Sequence, residues 1–276
     1  MVRIDSHQHF WKYDPDRQTW MSADMGILKR DYGPQELARL LEHCGLHGSV
    51  AVQASQTEAE NDYLLDHARA NPFIKGIVGW VDLQSAGVAE RLAWYKSQTA
   101  IKGFRHVIHD EPDVDFLLRP AFVNGIKALG SFGYPYDLLI FPVHLPNAVR
   151  LVKQFPDQLF VVDHIAKPVI REYELAGWKK ELAALAAFQN VHCKISGMVT
   201  EAAWKQWKQE DFIPYLDTIV DLFGTKRILY GSDWPVCTLS ASYKDTYGIV
   251  KRYFDRFSET EQDDFFGLNA ERFYRL

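Results

Sequence analysis

The sequence predicts one α/β domain, a (β/α)8 or TIM barrel spanning residues 1–276. Three observations carry this. Eight short, almost continuously apolar runs alternate with helix-type segments, the pattern of parallel strands whose two faces are both covered. The 276 residues suit eight βα units, which occupy about 250 residues. The carboxyl ends of the runs collect His, Asp, Arg and Lys while the amino ends carry little of the kind, and barrels of this class build their sites at the carboxyl ends. A doubly wound open sheet is the alternative. It calls for a glycine-rich phosphate turn after the first strand, where this chain has Ser6-His7-Gln8-His9. No linker, repeat or low-complexity tract divides the chain.

The first strand is read over residues 2–4, running into Asp5-Ser6-His7-Gln8-His9. Positions i and i+2 of a strand share a face, so His7 and His9 project together. Residues 11–32, rich in Trp, Tyr and Asp, form a loop too long for a plain connection, and such loops tend to be functional. Pro34 opens a helix where its missing N–H does no harm. Leu37, Leu40, Leu41 and Cys44 share one helical face, and Gly45 ends the helix. A strand follows over 49–53. Thr57 with Glu60 reads as a capping box for a helix reaching residue 70. Strands are then predicted over 74–81, 101–107, 137–141, 159–162, 191–195 and 227–230. Helices are predicted over 88–97, 119–129, 147–155, 178–188 and 212–223, with 242–254 and 259 to the end closing the chain.

Composition narrows the function classes. A formal net charge of −5 and the lack of a basic cluster argue against nucleic-acid binding. No run of 18 apolar residues is present, so no membrane span is predicted. The amino terminus lacks the basic and apolar regions of a signal peptide. Three scattered cysteines, Cys44, Cys193 and Cys237, fit a reducing compartment with neither disulfide nor zinc knuckle. The expected setting is cytoplasmic, and the expected partner is a small molecule. The oligomeric state is not readable. Most of the 8 Trp, 13 Tyr and 17 Phe are assigned to the core.

The strand ends supply the candidate site. Strand one gives His7 and His9, strand two Gln53, strand three Trp80 and Asp82, and strand four Arg105 and His106. The turn after strand five gives His144, and strand six gives Asp163-His164 followed by Lys167. Strand seven gives Lys194 and Ser196, and strand eight Gly231-Ser232-Asp233-Trp234. Imidazoles from strands one and six and a carboxylate from strand eight converge above the barrel. Such a set can hold one divalent ion. It can also act without metal, the carboxylate taking a proton from water while the histidines and Arg105 donate to an oxyanion. Either route is hydrolysis at a carbonyl. Arg105 is equally readable as an ion-pair partner of Asp82, and Asp233 as a turn cap. His43, His47, His67, His109 and His192 are read as ordinary structural histidines.

Six segments, quoted in chain order, carry a family resemblance: Ile4-Asp-Ser-His-Gln-His-Phe-Trp11, Gly79-Trp-Val-Asp-Leu83, Lys102-Gly-Phe-Arg-His106, Val162-Asp-His-Ile-Ala-Lys-Pro168, Lys194-Ile-Ser-Gly-Met198 and Tyr230-Gly-Ser-Asp-Trp-Pro235. Together they resemble the sugar-lactonase branch of the amidohydrolase superfamily, the group of L-fuconolactonases and L-rhamnonolactonases. The resemblance implies a TIM barrel that opens an aldonolactone, such as L-fucono-1,5-lactone or L-rhamnono-1,4-lactone, to the aldonic acid. Asp233 would be the base, and His7, His9 and His164 would hold a metal or polarise the carbonyl. With a metal, His7, His9, His164 and Asp233 would be its ligands, and zinc or manganese its identity. Superfamily members with two metals place a bridging Lys or Glu at the end of strand four. Here Arg105-His106 stand there, so a binuclear site is not expected. Arg105, His106, Trp80, Gln53, His144 and Trp234 are the expected substrate contacts, with loops 11–32 and 109–115 shaping the pocket. A metal-dependent decarboxylase, an amide hydrolase and a non-catalytic sugar-acid-binding barrel are the rivals.

Overall fold

The computed structural model describes residues 2–276. Eight strands pair in parallel and in chain order: β1 (Ile4–Gln8), β2 (Gly48–Val52), β3 (Ile74–Gly79), β4 (Ile101–Val107), β5 (Tyr136–Leu139), β6 (Phe160–Val162), β7 (Val191–Ile195) and β8 (Ile228–Tyr230). The ring closes just beyond β8. The Asp233 N–H donates to the His7 carbonyl at 2.8 Å, and the His9 N–H donates to the Trp234 carbonyl at 2.7 Å. Gly231 permits this approach, since a Cβ there would meet the His7 Cβ at 2.6 Å. The predicted (β/α)8 architecture is therefore the observed one.

Helices α1 (Pro34–Cys44), α2 (Glu58–Ala70), α3 (Val88–Lys96), α4 (Pro120–Ser131), α5 (Leu145–Val152), α6 (Ala176–Ala186), α7 (Met198–Glu201), α8 (Gln209–Phe223) and α9 (Tyr243–Phe254) follow the strands, and α10 (Glu259–Asp263) and α11 (Asn269–Tyr274) end the chain. Strand parity sorts the apolar side chains into two clusters. Ala51, Ile77, Phe104, Leu138, Val162 and Ile228 join the helices in the large one. Val50, Val78, Val161 and Leu229 pack instead with Phe273 and Tyr274 of α11 in a smaller one. That second cluster is the apolar filling beneath the site.

Several local expectations differ from the structure. The first strand begins at Ile4 and runs on through His7 to Gln8, because Gln8 still pairs with Ala51. Thr57 does cap α2, but its side chain makes no capping bond. The Glu60 carboxylate instead accepts from the N–H groups of Ala54 and Ser55, which ties down the β2–α2 turn. The closing helix is interrupted by a π-helical segment, Asp264–Leu268. There Gly267 lies so close to the Val2 carbonyl that a Cβ would sit 2.1 Å from its oxygen. Loop 11–32 is pinned at its ends by a two-bond bridge between Trp11 and Tyr32.

Candidate active site

His7 and His9 emerge from β1 on one face, as strand parity requires, and their Nε2 atoms lie 3.2 Å apart. The His9 Nδ1–H donates to the Val52 carbonyl at 2.8 Å, so a neutral His9 ring presents a bare Nε2. His164 follows β6, and its Nδ1 lies 2.9 Å from the Ser196 hydroxyl. Asp233 follows β8 with a left-handed φ of 57°. Its Oδ1 stands 3.3 Å from His9 Nε2 and 3.9 Å from the Nε2 atoms of both His7 and His164. Burial drives the His7 and His164 rings well below their ordinary pKa, leaving both neutral. Burial pushes the Asp233 carboxyl up, but His164 and the His9 contact outweigh it, and the net shift is downward. The site thus sets an ionised Asp233 carboxylate beside the neutral His7 and His164 rings.

Beneath these residues lies a buried charge network. Lys194 of β7 donates to Asp137 Oδ2 of β5 at 2.5 Å and sits 3.0 Å from Asp163 Oδ1. Arg105 of β4 donates to Asp163 Oδ2 at 3.1 Å and to the side chain of Gln53 at 3.2 Å. The Tyr274 hydroxyl of α11 donates to Asp137 at 2.7 Å. Two cations face two anions, so the network is balanced. Lys194, His7 and Arg105 hold the Asp163 carboxyl well below the usual range against the penalty of burial. His7 sits at the top of the network, its Nδ1 3.2 Å from Lys194 Nζ and 3.3 Å from Asp163 Oδ1. The partner of Arg105 is therefore Asp163 and not Asp82, whose side chain instead accepts from the Gln84 N–H.

A cavity of about 350 Å³ opens above the site, within the usual range for small-molecule sites. His9, His164, Asp233 and Arg105 line it, with Lys167 at its wall, whereas His7 lies wholly buried beneath. Gln53, Trp80, His106, His144 and Trp234, expected as substrate contacts, are not among its lining residues. Gln53 is spent on Arg105. His106 has the opposite strand parity to Arg105; it stacks on Phe116, bonds to Glu111 and accepts from the Trp80 indole. His144 accepts from the Phe141 N–H, and Trp234 packs against Phe10 and Tyr32.

Loop residues the sequence reading left unassigned complete the wall: Trp20 and Met25 from loop 11–32, and Thr200, Glu201 and Trp204 after β7. His109, read as an ordinary loop histidine, also lines the cavity, beside Asp110. Asp137 was the legible omission, a lone carboxylate inside a strand buried on both faces.

Nitrogen and oxygen donor atoms of His7, His164 and Asp233 fall within 4.8 Å of one another, and His9 Nε2 adjoins two of the three residues. Three imidazole Nε2 atoms crowd the Asp233 carboxylate, with Arg105 Nη1 also 3.3 Å from His7 Nε2. The imidazole and carboxylate set fits a divalent cation.

Known proteins resemble this chain over nearly its whole length. The profile of the amidohydrolase family matches residues 4–276. An L-fucono-1,5-lactonase of Burkholderia multivorans is 39% identical over 100% of this chain and 96% of its own length. An L-fucono-1,5-lactonase of Burkholderia ambifaria is 35% identical, covering 99% and 96%. A crystal structure of a Burkholderia multivorans amidohydrolase with bound zinc superposes over 100% of both chains with a TM-score of 0.96 at 39% identity.

Proposed function

Because this chain belongs to the amidohydrolase family, we propose that it is a hydrolase that opens the lactone ring of a sugar acid, with L-fucono-1,5-lactone as the first substrate to test. The observation that carries the reading is the Asp233 carboxylate ringed by three imidazole Nε2 atoms at 3.3, 3.9 and 3.9 Å, against a ligand-sized cavity. The full-length similarity to two L-fucono-1,5-lactonases supports the substrate class.

In this reading Asp233 is the general base. Its depressed pKa keeps it ionised at neutral pH, and it takes the proton of the water that attacks the lactone carbonyl. A positioned base contributes about 10²–10⁴-fold. The ring C–O bond then breaks, and the proton passes to the alkoxide leaving group, giving the hydroxy acid. Arg105 lines the cavity, and its Nε–H is buried without a partner. The edge of its guanidinium that lines the cavity, and not the enclosed Nε–H, would be the donor to the carbonyl oxygen as negative charge develops there, worth about 10²–10³-fold. Trp20 and Trp204 offer flat apolar faces to the sugar ring. His7, His164 and Asp233, with His9 adjoining, are the residues to hold a divalent ion, zinc being the one found in the crystallised relative. Such an ion acts as a Lewis acid on a carbonyl oxygen. Lys194 and Asp163 hold the His7 ring from below.

The test is proton release from a panel of 1,4- and 1,5-aldonolactones, with metal content measured before and after chelation. Asp233→Asn should fold normally and lose at least about 10²-fold in kcat. Full activity in Asp233→Asn would refute the base assignment. No release from any lactone by the native enzyme would refute the substrate class.

A further inference from the structure

The lining of the cavity carries a charge rule that the reaction itself does not require. Two cations face the cavity, Arg105 and Lys167, and each is already neutralised. Arg105 pairs with Asp163. Lys167 pairs with Glu201, both side chains mostly buried, at 15% and 20% exposure. Beside them stand two further carboxylates, Asp233 and Asp110, the latter held below its ordinary pKa chiefly by the His109 hydrogen bond. At the wall formed by Lys167 and Glu201, away from the carbonyl end where a divalent ion would be held, a carboxylate substituent would thus meet carboxylates and an ammonium that is already paired. A hydroxyl meets the reverse: ion-paired carboxylate oxygens to accept from it, and Thr200 to exchange a bond with it.

We infer that this site selects lactones whose substituents are uncharged and rejects those bearing a carboxylate, with Glu201 as the specificity-determining residue through its pairing with Lys167. The inference rests on the lactonase reading. Neither side chain belongs to the cluster around Asp233. Lys167 comes from the turn after β6 and Glu201 from the end of α7, so the rule is set by two loops and is separable from the chemistry. Removing the charge of Glu201 while keeping its shape would release the Lys167 ammonium as a receptor for an anionic substituent.

The experiment compares an aldonolactone with the aldarolactone of the same ring, which differs by a carboxylate in place of the terminal carbon group. Native enzyme, Glu201→Gln, Lys167→Met and the double variant are each assayed for kcat/KM on both compounds. Quenching of tryptophan fluorescence is followed in parallel as each compound is titrated in, since Trp20 and Trp204 line the cavity. The native enzyme should prefer the neutral lactone by at least tenfold, and Glu201→Gln should shift that ratio toward the aldarolactone at least tenfold. The shift should vanish in the double variant, which has no cation to release. Equal use of both lactones by native enzyme, or an unmoved ratio in Glu201→Gln, overturns the inference. If no lactone is hydrolysed the functional reading fails, and the fluorescence titration still decides the charge rule. Tighter aldarolactone binding in Glu201→Gln, lost in the double variant, upholds it, and unchanged binding overturns it.

Discussion

Replacing Lys194 by Met tests whether the barrel interior is held by an ion network. The ammonium lies 2.5 Å from Asp137 and 3.0 Å from Asp163, all three side chains fully buried. With an effective dielectric of about 20, each contact amounts to roughly 5–7 kcal/mol of Coulomb attraction. Much of that offsets the desolvation of the three charges. Breaking a buried pair by removing one partner typically costs about 3–5 kcal/mol, because the other charge stays buried, and Lys194→Met should fall in that range. For a chain of this size that is a drop of roughly 5–9 °C in Tm. Urea titration and thermal melting followed by circular dichroism read the loss. Burial already pushes the Asp137 carboxyl up to about 6, so without its ammonium it would protonate more readily, and the loss should be smaller at pH 5.5 than at pH 8. Adding Asp137→Leu restores the balance of one cation, Arg105, to one anion, Asp163, and should recover more than half of the stability. A loss under about 1 kcal/mol at pH 8, or no recovery in the double variant, would refute the charged network.

Two further predictions test separate links between packing and function. His192 of β7 is held to a pKa of about 4, by burial first and then by Arg227 and Arg272. Its folded pKa lies below the unfolded value, so the stability it confers is full above about pH 6.5 and lost as pH falls toward 4. That loss is about 3 kcal/mol, and His192→Asn should flatten the slope of the denaturation midpoint across this window. Gly197 has a φ of 61°, and a Cβ there would lie 2.6 Å from His164 Nδ1. Gly197→Ala should therefore push His164 off Ser196 and reduce kcat by up to about 10²-fold while the circular dichroism spectrum keeps its native form; unchanged kcat would mean that the placement of His164 does not matter.

What the sequence showed, and what it hid, follows from how local each cause is. His7 and His9 were legible as a pair because strand parity is fixed by the backbone alone. His164 and Asp233 were legible because they come two and three residues after short apolar strands. Parity also explains why Arg105 lines the cavity and His106 does not. Arg105 and His106 are adjacent, so only one can face the interior, and His106 turns toward Phe116. Trp20, Met25, Glu201 and Trp204 line the cavity from loops, where no period exists to reveal direction. The pairing of Arg105 with Asp163 instead of Asp82 depends on β4 and β6 flanking β5 in the barrel, a relation no local pattern records.

The turn after β6 sharpens the point. His164, Ile165, Ala166 and Lys167 all hold left-handed φ values, between 49° and 60°, with no glycine among them. For L-residues that conformation costs roughly 1–2 kcal/mol each, most for the β-branched Ile165. Local propensity therefore argues against the observed backbone, and only tertiary contacts sustain it. The Trp178 indole of α6 donates to the Ile165 carbonyl at 2.8 Å, Ile165 and Ala166 are completely buried, and Lys167 is anchored by Glu201. This segment carries His164 to Asp233 and Lys167 to the wall. Backbone strain of this kind is found where structure is held for function. The same few residues thus join the proposed chemistry at Asp233 to the charge rule at Glu201, and a right-handed turn here would change the course of the backbone between His164 and Lys167.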